Sequence, residues 1–417
     1  MAEVRPLNAL HYNLAAVPSL SDVVAPPYDV IDAAHRRELV ERSPFNVVEI
    51  DLPTAPDGGD PYARAAETLE EWRLQGILAA DREPALWALT QEYAAPDGSR
   101  HTRRGLLCRV RVTEYGPGLV RPHERTQPGP KQDRLRLTEA TRHNLSPIFA
   151  LHPGDVWRHI EGATRGEPWG EVTDDEDTVH RVWRIGDVEV QRAVAADLAD
   201  AELLIADGHH RYETARTYAD SIGGEGAHGF TLMCLVSLED PGLTVFGYHR
   251  LLTGLGDPGA QEALAAALRE HFEVEEVPLE RLDPAGEEGV GVFGYVDSHF
   301  RRGFRLRLAD PDAVARAFPD SSPAFRELDA AILEALVLRG ALGMSADDVE
   351  GKRGLAYTSS AEEAIAALDG DADAAFLLRP TPVEQVRAVA DAGETMPPKS
   401  TFFFPKLLTG LVFNPLS

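Results

Sequence analysis

LLIADGHHRYETARTY, residues 203–218, decides how this chain is read. A continuous apolar run stops at Ala206, and Asp207, Gly208, His209, His210 and Arg211 follow without a gap. ELLIA (202–206) reads as a short buried strand. RYETARTYADSI (211–222) reads as a helix with Tyr212, Ala215, Ala219 and Ile222 on its buried face. The five polar residues therefore occupy a strand-to-helix turn. A helix start offers backbone N–H groups without intrahelical partners, at the positive end of the peptide dipoles. Gly208 lets backbone approach a ligand closely, Arg211 adds a forked cation, and His209 and His210 add donors whose charge changes near neutral pH. Together they predict a cradle for phosphate or carboxylate. Asp207 does not suit an anion pocket by itself; it suits a metal-side ligand, a general base or a helix cap. A purely structural cap is the alternative for the whole turn. Adjacent His side chains on one helical turn point apart and no second pair stands at ligand spacing, so the metal ligands stay unknown.

Working outward, FTLMCLVSL (230–238) is a second buried strand, and strand–helix–strand order implies a right-handed crossover if the two strands are parallel. Upstream, DVVAPPYDVID (22–32) reads as a short strand and a double-proline turn. NVVEIDL (46–52) reads as a strand, 32–42 and 60–78 as helices, and 85–112 as a hairpin around Pro-Asp-Gly-Ser. In 118–151 a loop rich in Pro and Gly precedes a helix starting near Gln132 and an apolar strand. The last third alternates likewise: helices at 259–271, 323–339, 360–368 and 382–391, strands at 291–297, 302–308 and 374–380. The expected class is mixed α/β (α+β), sheets flanked by helices, with the anion turn in the core. The expected regions are 1–117, 118–255 and 256–417, the last returning a tail to the site. Gly254, Gly256 and Pro258 mark the second joint.

The 417 residues suit two to three domains, and 43% hydrophobic content is ample for a core. No apolar run approaches the 18 or so residues of a membrane span, and the first twenty residues do not read as a signal peptide. Cys108 and Cys234 lie in apolar surroundings and read as buried thiols of a reducing compartment, hence a cytoplasmic protein. A net charge of −27 repels nucleic acid in bulk and reads as a solubilising surface. The expected partners are a small-molecule substrate and a phosphate donor, without nucleic acid or membrane; oligomeric state is not legible. Only four of the 41 basic side chains are Lys: Lys131, Lys352, Lys399 and Lys406. In a chain that otherwise writes Arg, these mark places where a compact ammonium is needed.

Three of the four fall in further constellations. In RPHERTQPGPKQDRLRL, prolines stiffen a loop carrying His123, Glu124 and Arg125, with Lys131 and Arg134 at a helix start. Lys131 is misplaced there unless an anion is near; the alternative is a solvated loop. In MPPKSTFFFPKLLTGL, Lys399, Ser400, Thr401 and Lys406 bracket a phenylalanine run that packs in a core. In APPYDV, Tyr28 and Asp29 stand on a proline-fixed turn that either touches a substrate or is a plain turn. GPGLVRPHE and GLGDPG match neither the dinucleotide nor the Walker pattern. GYVDSHF, with Ser298 and His299, lacks a nucleophile elbow.

APPYDVI, HERTQPGPKQDRL, NLSPIFAL, IADGHHRYETA, YHRLL and MPPKSTFFFPKLLTGLV together resemble the conserved prokaryotic domain-of-unknown-function family numbered 1015, from near Val24 to the C-terminus. That family carries no agreed activity. Over about ten residues, DGHHRYETA also resembles the Gly-x-His-Arg turn of the superfamily of partition protein B, sulfiredoxin and the free serine kinases, the last with a similar Asp-Gly-His-x-Arg stretch. That likeness implies that Gly208, His210 and Arg211 hold phosphate and that Asp207 or His209 acts at the reacting hydroxyl. Sulfiredoxin's cysteine is replaced here by His209, against reductase chemistry.

The reading that follows is phosphoryl transfer from a nucleotide or other phosphate donor to the hydroxyl of a small metabolite, with serine the best single candidate. Asp207, His209 and Glu124 are the candidate catalytic residues. Gly208, His210, Arg211, Lys131, Arg134, Lys399, Ser400, Thr401 and Lys406 would bind phosphate or nucleotide. Tyr28, Asp29 and His123 would contact substrate. Mg²⁺ is implied by the nucleotide, ATP or ADP. The alternatives are a nucleotide-binding switch without turnover and a small-molecule phosphatase acting, for example, on phosphoserine.

Overall fold

The computed structural model describes residues 2–56, 58–95, 98–124, 126 and 128–417. The chain divides into two compact units. The first comprises Met1–Pro122, Thr126–Leu243 and Pro405–Ser417, the second His123–Arg125 and Thr244–Phe404. This division falls at 243/244, just after Pro241-Gly242 and upstream of the Gly254, Gly256 and Pro258 joint expected from the sequence.

In the first unit, β1 (Val4–Arg5), β2 (Leu86–Ala94), β3 (Arg100–Arg111), β4 (Val120–Arg121), β5 (Ile148–His152), β6 (Gly170–Thr173), β7 (Val179–Ile185), β8 (Leu203–Asp207) and β9 (Phe230–Ser237) form one mixed sheet. Among the described residues its order is β4-β8-β5-β9-β3-β2-β7-β6, with β1 also pairing β3. The expected hairpin is β2–β3, in register from Trp87 opposite Leu107 to Ala94 opposite Arg100. The expected crossover is not formed. β5 runs antiparallel to β8 and parallel to β9, so the strands flanking the motif helix are antiparallel to each other, with β5 between them.

The helices follow their caps. Asp32 accepts from Ala34 N and His35 N at the start of α1 (Ala33–Arg42). The NVVEIDL segment is not a strand: it forms the short helix α2 (Val48–Asp51). Val47, Val48 and Ile50 are buried as a strand reading requires. But Asn46 turns the chain, its Oδ1 accepting from Val48 N (3.0 Å) and its Nδ2 donating to the carbonyls of Asp22 and Val24. DVVAPPYDVID is likewise no strand. It is a helical turn over Leu20–Val23 capped by Ser19, a bridge from Ala25 to Thr409, and a 3₁₀ turn over Tyr28–Val30. Asp60 caps α3 (Pro61–Leu74), with proline in its first turn. The next helix, α4 (Pro128–Thr141), starts four residues before Gln132, because Pro128 and Pro130 both fit a first turn whose N–H groups lack helical partners anyway. After α5 (Val188–Leu198) comes the motif helix α6 (His209–Ile222), which begins two residues earlier than expected. It buries Tyr212, Thr214, Ala215 and Tyr218, while Ile222, read as buried, is 55% exposed in the last turn. Cys108 and Cys234 are both buried and unbridged, and burial pushes the Cys234 thiol up to about 12.

The tail is threaded through the first unit by backbone pairs. Thr409 pairs with Ala25, Phe413 with Leu10, Asn414 with Asn144, and Leu416 N donates to Arg142 O.

In the second unit, β10 (His249–Leu252), β11 (Phe272–Val277), β12 (Val292–Asp297), β13 (Gly303–Leu308), β14 (Leu355–Thr358) and β15 (Ala374–Leu378) form a sheet of order β11-β13-β12-β15-β10-β14. All of its pairings are antiparallel. The helix α7 (Pro258–His271), capped by Asp257, buries Leu264, Ala267 and Leu268. The helix read over 323–339 is broken into Pro323–Arg326, Asp329–Leu333 and a π-helical stretch Glu334–Ala341. Asp329 opens the second piece because its carboxylate is held by Arg379 (2.7 Å) and by Gly291 N (3.2 Å).

His249 gives this unit a defined acid response. Its Nδ1 accepts from Leu378 N (3.1 Å), which requires the neutral ring. Burial, opposed by Asp283 and reinforced by Arg250, lowers its pKa to about 4. A His with a depressed folded pKa contributes stability that is present above its unfolded value near 6.5 and is lost as pH falls through the folded value. About 3 kcal/mol is therefore expected to disappear between pH 6.5 and 4 through this residue. Urea unfolding across that range checks it. His249→Asn keeps an acceptor without titrating, and its stability should fall less over the same interval.

Candidate functional site

The turn after β8 is built for glycine. Gly208 has φ +96°, and a Cβ there would stand 2.9 Å from Nε of Arg211. Any other residue would be strained in backbone and would push the guanidinium away. Intrahelical bonding begins with Tyr212 N on Gly208 O (3.0 Å), so the N–H groups before it look outside the helix. β8 meets β5 irregularly between Ile205 and Asp207, which ends the ladder at the turn.

Arg211 lies over Gly208 with its side chain largely buried. Its Nη1 donates to Ser146 Oγ (2.8 Å) and to the Pro147 carbonyl, and its Nη2 stands 3.5 Å from Asp207 Oδ1. Nε is buried without a hydrogen-bond partner among the described residues. A buried donor left without an acceptor costs about 1–3 kcal/mol. Asp207 Oδ2 accepts from Lys406 Nζ (2.9 Å). Asp207 thus holds two cations, one four residues away and one brought in by the tail. His209 is buried and His210 half-buried at the same helix start.

The position of Lys406 is fixed independently. Gln91 Nε2 donates to Lys406 O (3.0 Å), and buried Arg103 donates to Pro405 O and to Gln91 Oε1. Gln91 Nε2 also reaches His180 Nδ1 (3.2 Å), whose Nε2 meets Asp174 Oδ2 (2.8 Å). Burial holds the His180 pKa below its usual value, consistent with a neutral ring that accepts at Nδ1. Sequence reasoning missed Gln91, Arg103, Asp174 and His180. No motif marks them; the nearest signal is that Gln91, Arg103 and His180 are polar residues on strands otherwise buried, while Asp174 follows the strand that ends at Thr173.

The other first-unit candidates are engaged by carboxylates. Lys131 Nζ pairs with Glu213 Oε2 of α6 (3.3 Å), which supplies from within the protein the anion that its place in α4 demanded. Arg134 is buried against Asp51, with Nη1 on Asp51 O (2.8 Å) and Asp51 Oδ1 (3.2 Å), and it also pairs with Asp133. Its guanidinium covers the Tyr28 ring at 4.3 Å. Burial first, then neighbouring Asp29, pushes the Tyr28 hydroxyl up to about 12. Asp29 itself is exposed. Tyr28, Asp51, Arg134, Ser146 and Arg211 line a cavity of about 40 Å³. That volume suits one or two waters, far from the several hundred Å³ of a nucleotide site.

In the second unit, His123 Nε2 meets Thr401 Oγ1 (2.9 Å) and stands 3.9 Å from Glu124 Oε1, and Glu124 bridges to Met396. Arg125 lies outside the described residues. Lys399 has φ +55°, sparsely populated for a residue with a Cβ, and its ammonium lies 5.1 Å from the centre of the Tyr248 ring. Ser400 and Thr401 are buried, Ser400 Oγ donating to Pro397 O (2.6 Å). The YHRLL stretch supports this segment: Arg250 donates to the carbonyls of Tyr248 and Pro398. The candidates thus form two sets, Tyr28, Asp29, Lys131, Arg134, Asp207–Arg211 and Lys406 in the first unit, His123, Glu124 and Lys399–Thr401 in the second. Among the described residues no three His, Cys, Asp or Glu side chains group as a metal site, and no helix is long and apolar enough to cross a membrane.

The model of a family described as "Protein of unknown function (DUF1015)" matches residues 4–331. The chain belongs to this family. No curated protein matches this DUF1015 member. Among solved structures, it is similar to a conserved hypothetical protein from Pyrococcus furiosus, with 16% identity over 69% of this chain and 88% of that one, at a TM-score of 0.35. A free serine kinase mutant in complex with ADP gives 15% identity over 71% and 88%, at 0.39. SbnI with a C-terminal truncation, from Staphylococcus aureus, gives 12% over 73% and 85%, at 0.38. Similarity at this level leaves the activity of the DUF1015 chain to be argued from its own residues.

Proposed function

We propose that the turn at Asp207–Arg211 binds the phosphates of a nucleotide or another phosphate donor, and that the protein transfers a phosphoryl group to the hydroxyl of a small metabolite, free serine being the best single candidate. One observation supports this above the rest. A left-handed glycine at a helix start lies under a guanidinium whose Nε has no hydrogen-bond partner among the described residues, and the tail delivers an ammonium to the adjoining carboxylate. Phosphoryl transfer needs chiefly positioning and charge stabilisation, and the turn's N–H groups, Arg211, Lys406 and Lys131 are suited to both. Asp207 is the candidate acceptor of the hydroxyl proton. Mg²⁺ would arrive with the nucleotide and be held mainly by its phosphates, since Asp207 offers one carboxylate and no cage.

The test is incubation with ATP or ADP and a panel of hydroxyl amino acids. Formation of phosphoserine is the expected result. Donor binding without product identifies a switch instead, and phosphate release from phosphoserine without donor identifies a phosphatase. Arg211→Ala should weaken donor binding roughly ten- to a hundredfold, the loss of one charge-assisted hydrogen bond. A folded Arg211→Ala protein that binds donor like the parent would remove the anion-turn reading.

A further inference from the structure

The second unit contains a cavity of about 400 Å³ to which nothing above assigns a role. One wall is α7, which contributes Gln261, Leu264, Ala265, Leu268 and Arg269 at helical spacing. The other wall is one face of the sheet. Strand register sets Val274 opposite Leu306, Tyr295 opposite Phe304 and Asp297 opposite Ala374. With a side-chain period of two, Phe293, Tyr295 and Asp297 share that face. The first two are buried apolar residues, and the third continues their row with a charge. Packed interiors hold few voids larger than a water, whereas small-molecule sites span roughly 300–1,000 Å³.

The polar groups are confined and of one dominant sign. Asp297 Oδ1 accepts from His299 N (3.0 Å) and Phe300 N (2.6 Å), and Oδ2 accepts from Tyr295 Oη (3.3 Å). Asp373, preceding Ala374 and so adjoining Asp297, accepts from Leu255 N at Oδ2 (2.8 Å), and its carbonyl accepts from Ser298 N (2.8 Å). Each carboxylate has about four acceptor sites, so both keep capacity. Among the described residues neither is in an ion pair. Arg269 and His299 also belong to the lining, and Phe300 and Val274 at the same cavity are exposed apolar side chains.

We infer that this cavity binds a small hydrophobic ammonium compound, its branched or aromatic hydrocarbon body between α7 and the sheet and its protonated amine on Asp297 and Asp373. Two unpaired carboxylates beside apolar walls repel phosphate and hydrophobic acids and attract a cation that can bring its own hydrocarbon. Arg269 would add a contact for the carboxylate of an amino acid. The inference is independent of the phosphoryl-transfer proposal, because it concerns a different unit and a different charge.

Calorimetric titration of the full chain at pH 7.5 with phenethylamine, L-phenylalanine and 3-phenylpropionate tests it. Phenethylamine should bind, and 3-phenylpropionate should bind at least about tenfold more weakly. L-Phenylalanine binding more tightly than phenethylamine would identify an amino acid site using Arg269; weaker binding would identify a simple amine. Asp297→Asn preserves the acceptor that caps the 298–300 turn and should weaken phenethylamine about tenfold or more. Ala265→Trp should fill the space and abolish binding with circular dichroism unchanged. If Asp297→Asn proves unstable, Asp373→Asn provides the same reading. Absence of binding by both ammonium compounds overturns the inference. So does binding of the acid as tightly as the amine, or folded variants that bind like the parent.

Discussion

Replacing Arg134 with methionine is expected to destabilise the first unit by about 3–5 kcal/mol at pH 8. Arg134 and Asp51 face each other in the interior, each with a side chain only 6% exposed. The pair holds because Arg134 Nη1 also reaches the Asp51 carbonyl at the end of α2, and because its guanidinium rests on Tyr28. Burial already pushes the Asp51 carboxyl up, while Arg134 first and Arg211 second pull it back. Methionine keeps much of the packing but leaves the carboxylate uncompensated, and that charge is the costly element. The pH dependence has a definite sign. Without Arg134 the folded pKa of Asp51 rises further above its unfolded value. The variant therefore retains more stability at low pH and loses it as pH rises through the raised folded value. Urea unfolding should show a larger deficit at pH 8 than at pH 5. The double change Arg134→Met with Asp51→Leu should recover at least half of the loss, since no buried charge remains. A single variant as stable as the parent at pH 8 would mean that the pair is solvated and that Arg134 is available to a ligand.

The same pair shows where sequence pattern reaches its limit. Asp51 was invisible as a partner because NVVEIDL alternates and carries β-branched residues, which favours a strand. The three hydrogen bonds of Asn46 that turn it into a helix join residues over twenty positions apart as well as neighbours. Caps, by contrast, act within four residues: the helices expected over 32–42, 60–78 and 259–271 open beside the capping carboxylates of Asp32, Asp60 and Asp257. Gly208 was read from the sequence as a place for close backbone approach; its left-handed φ at the strand-to-helix turn is a further local requirement for glycine that the structure adds. Lys131 was legible as an electrostatic mismatch but not as a pair with Glu213, because the register of α4 against α6 is a tertiary fact. The scarce lysines did point at the turn in one case, since Lys406 reaches Asp207 across 199 residues. What the pattern could not contain is the support beneath Lys406. Gln91 and Arg103 act through backbone carbonyls, which any residue at 405 and 406 would present.

That support makes Lys406 the cleaner probe of the proposed reaction. Arg211 also braces Ser146 and Pro147, so its removal disturbs structure as well as charge. Lys406 is held through its carbonyl, and the tail beyond it is paired at Thr409 and Phe413, so Lys406→Met should leave the chain in place and remove only the ammonium. Under the proposed reading this variant weakens donor binding about tenfold or more, as one charge-assisted contact to phosphate is lost. Asp207→Asn behaves differently. It keeps an acceptor for Lys406 and the shape of the turn but removes the base. It should lower kcat about 10²- to 10⁴-fold with donor affinity little changed. Glu124→Gln, measured alongside, assigns the proton acceptor: only the carboxylate whose neutralisation cuts kcat without changing the donor Kd holds that role. A turn that merely caps a helix predicts another pattern, in which both changes at the Asp207–Lys406 pair lower the urea midpoint and neither separates kcat from Kd. Since the pair is half-buried, its contribution to stability alone should stay near 1 kcal/mol. A kinetic effect a hundredfold in size on an unaltered midpoint could not come from that source.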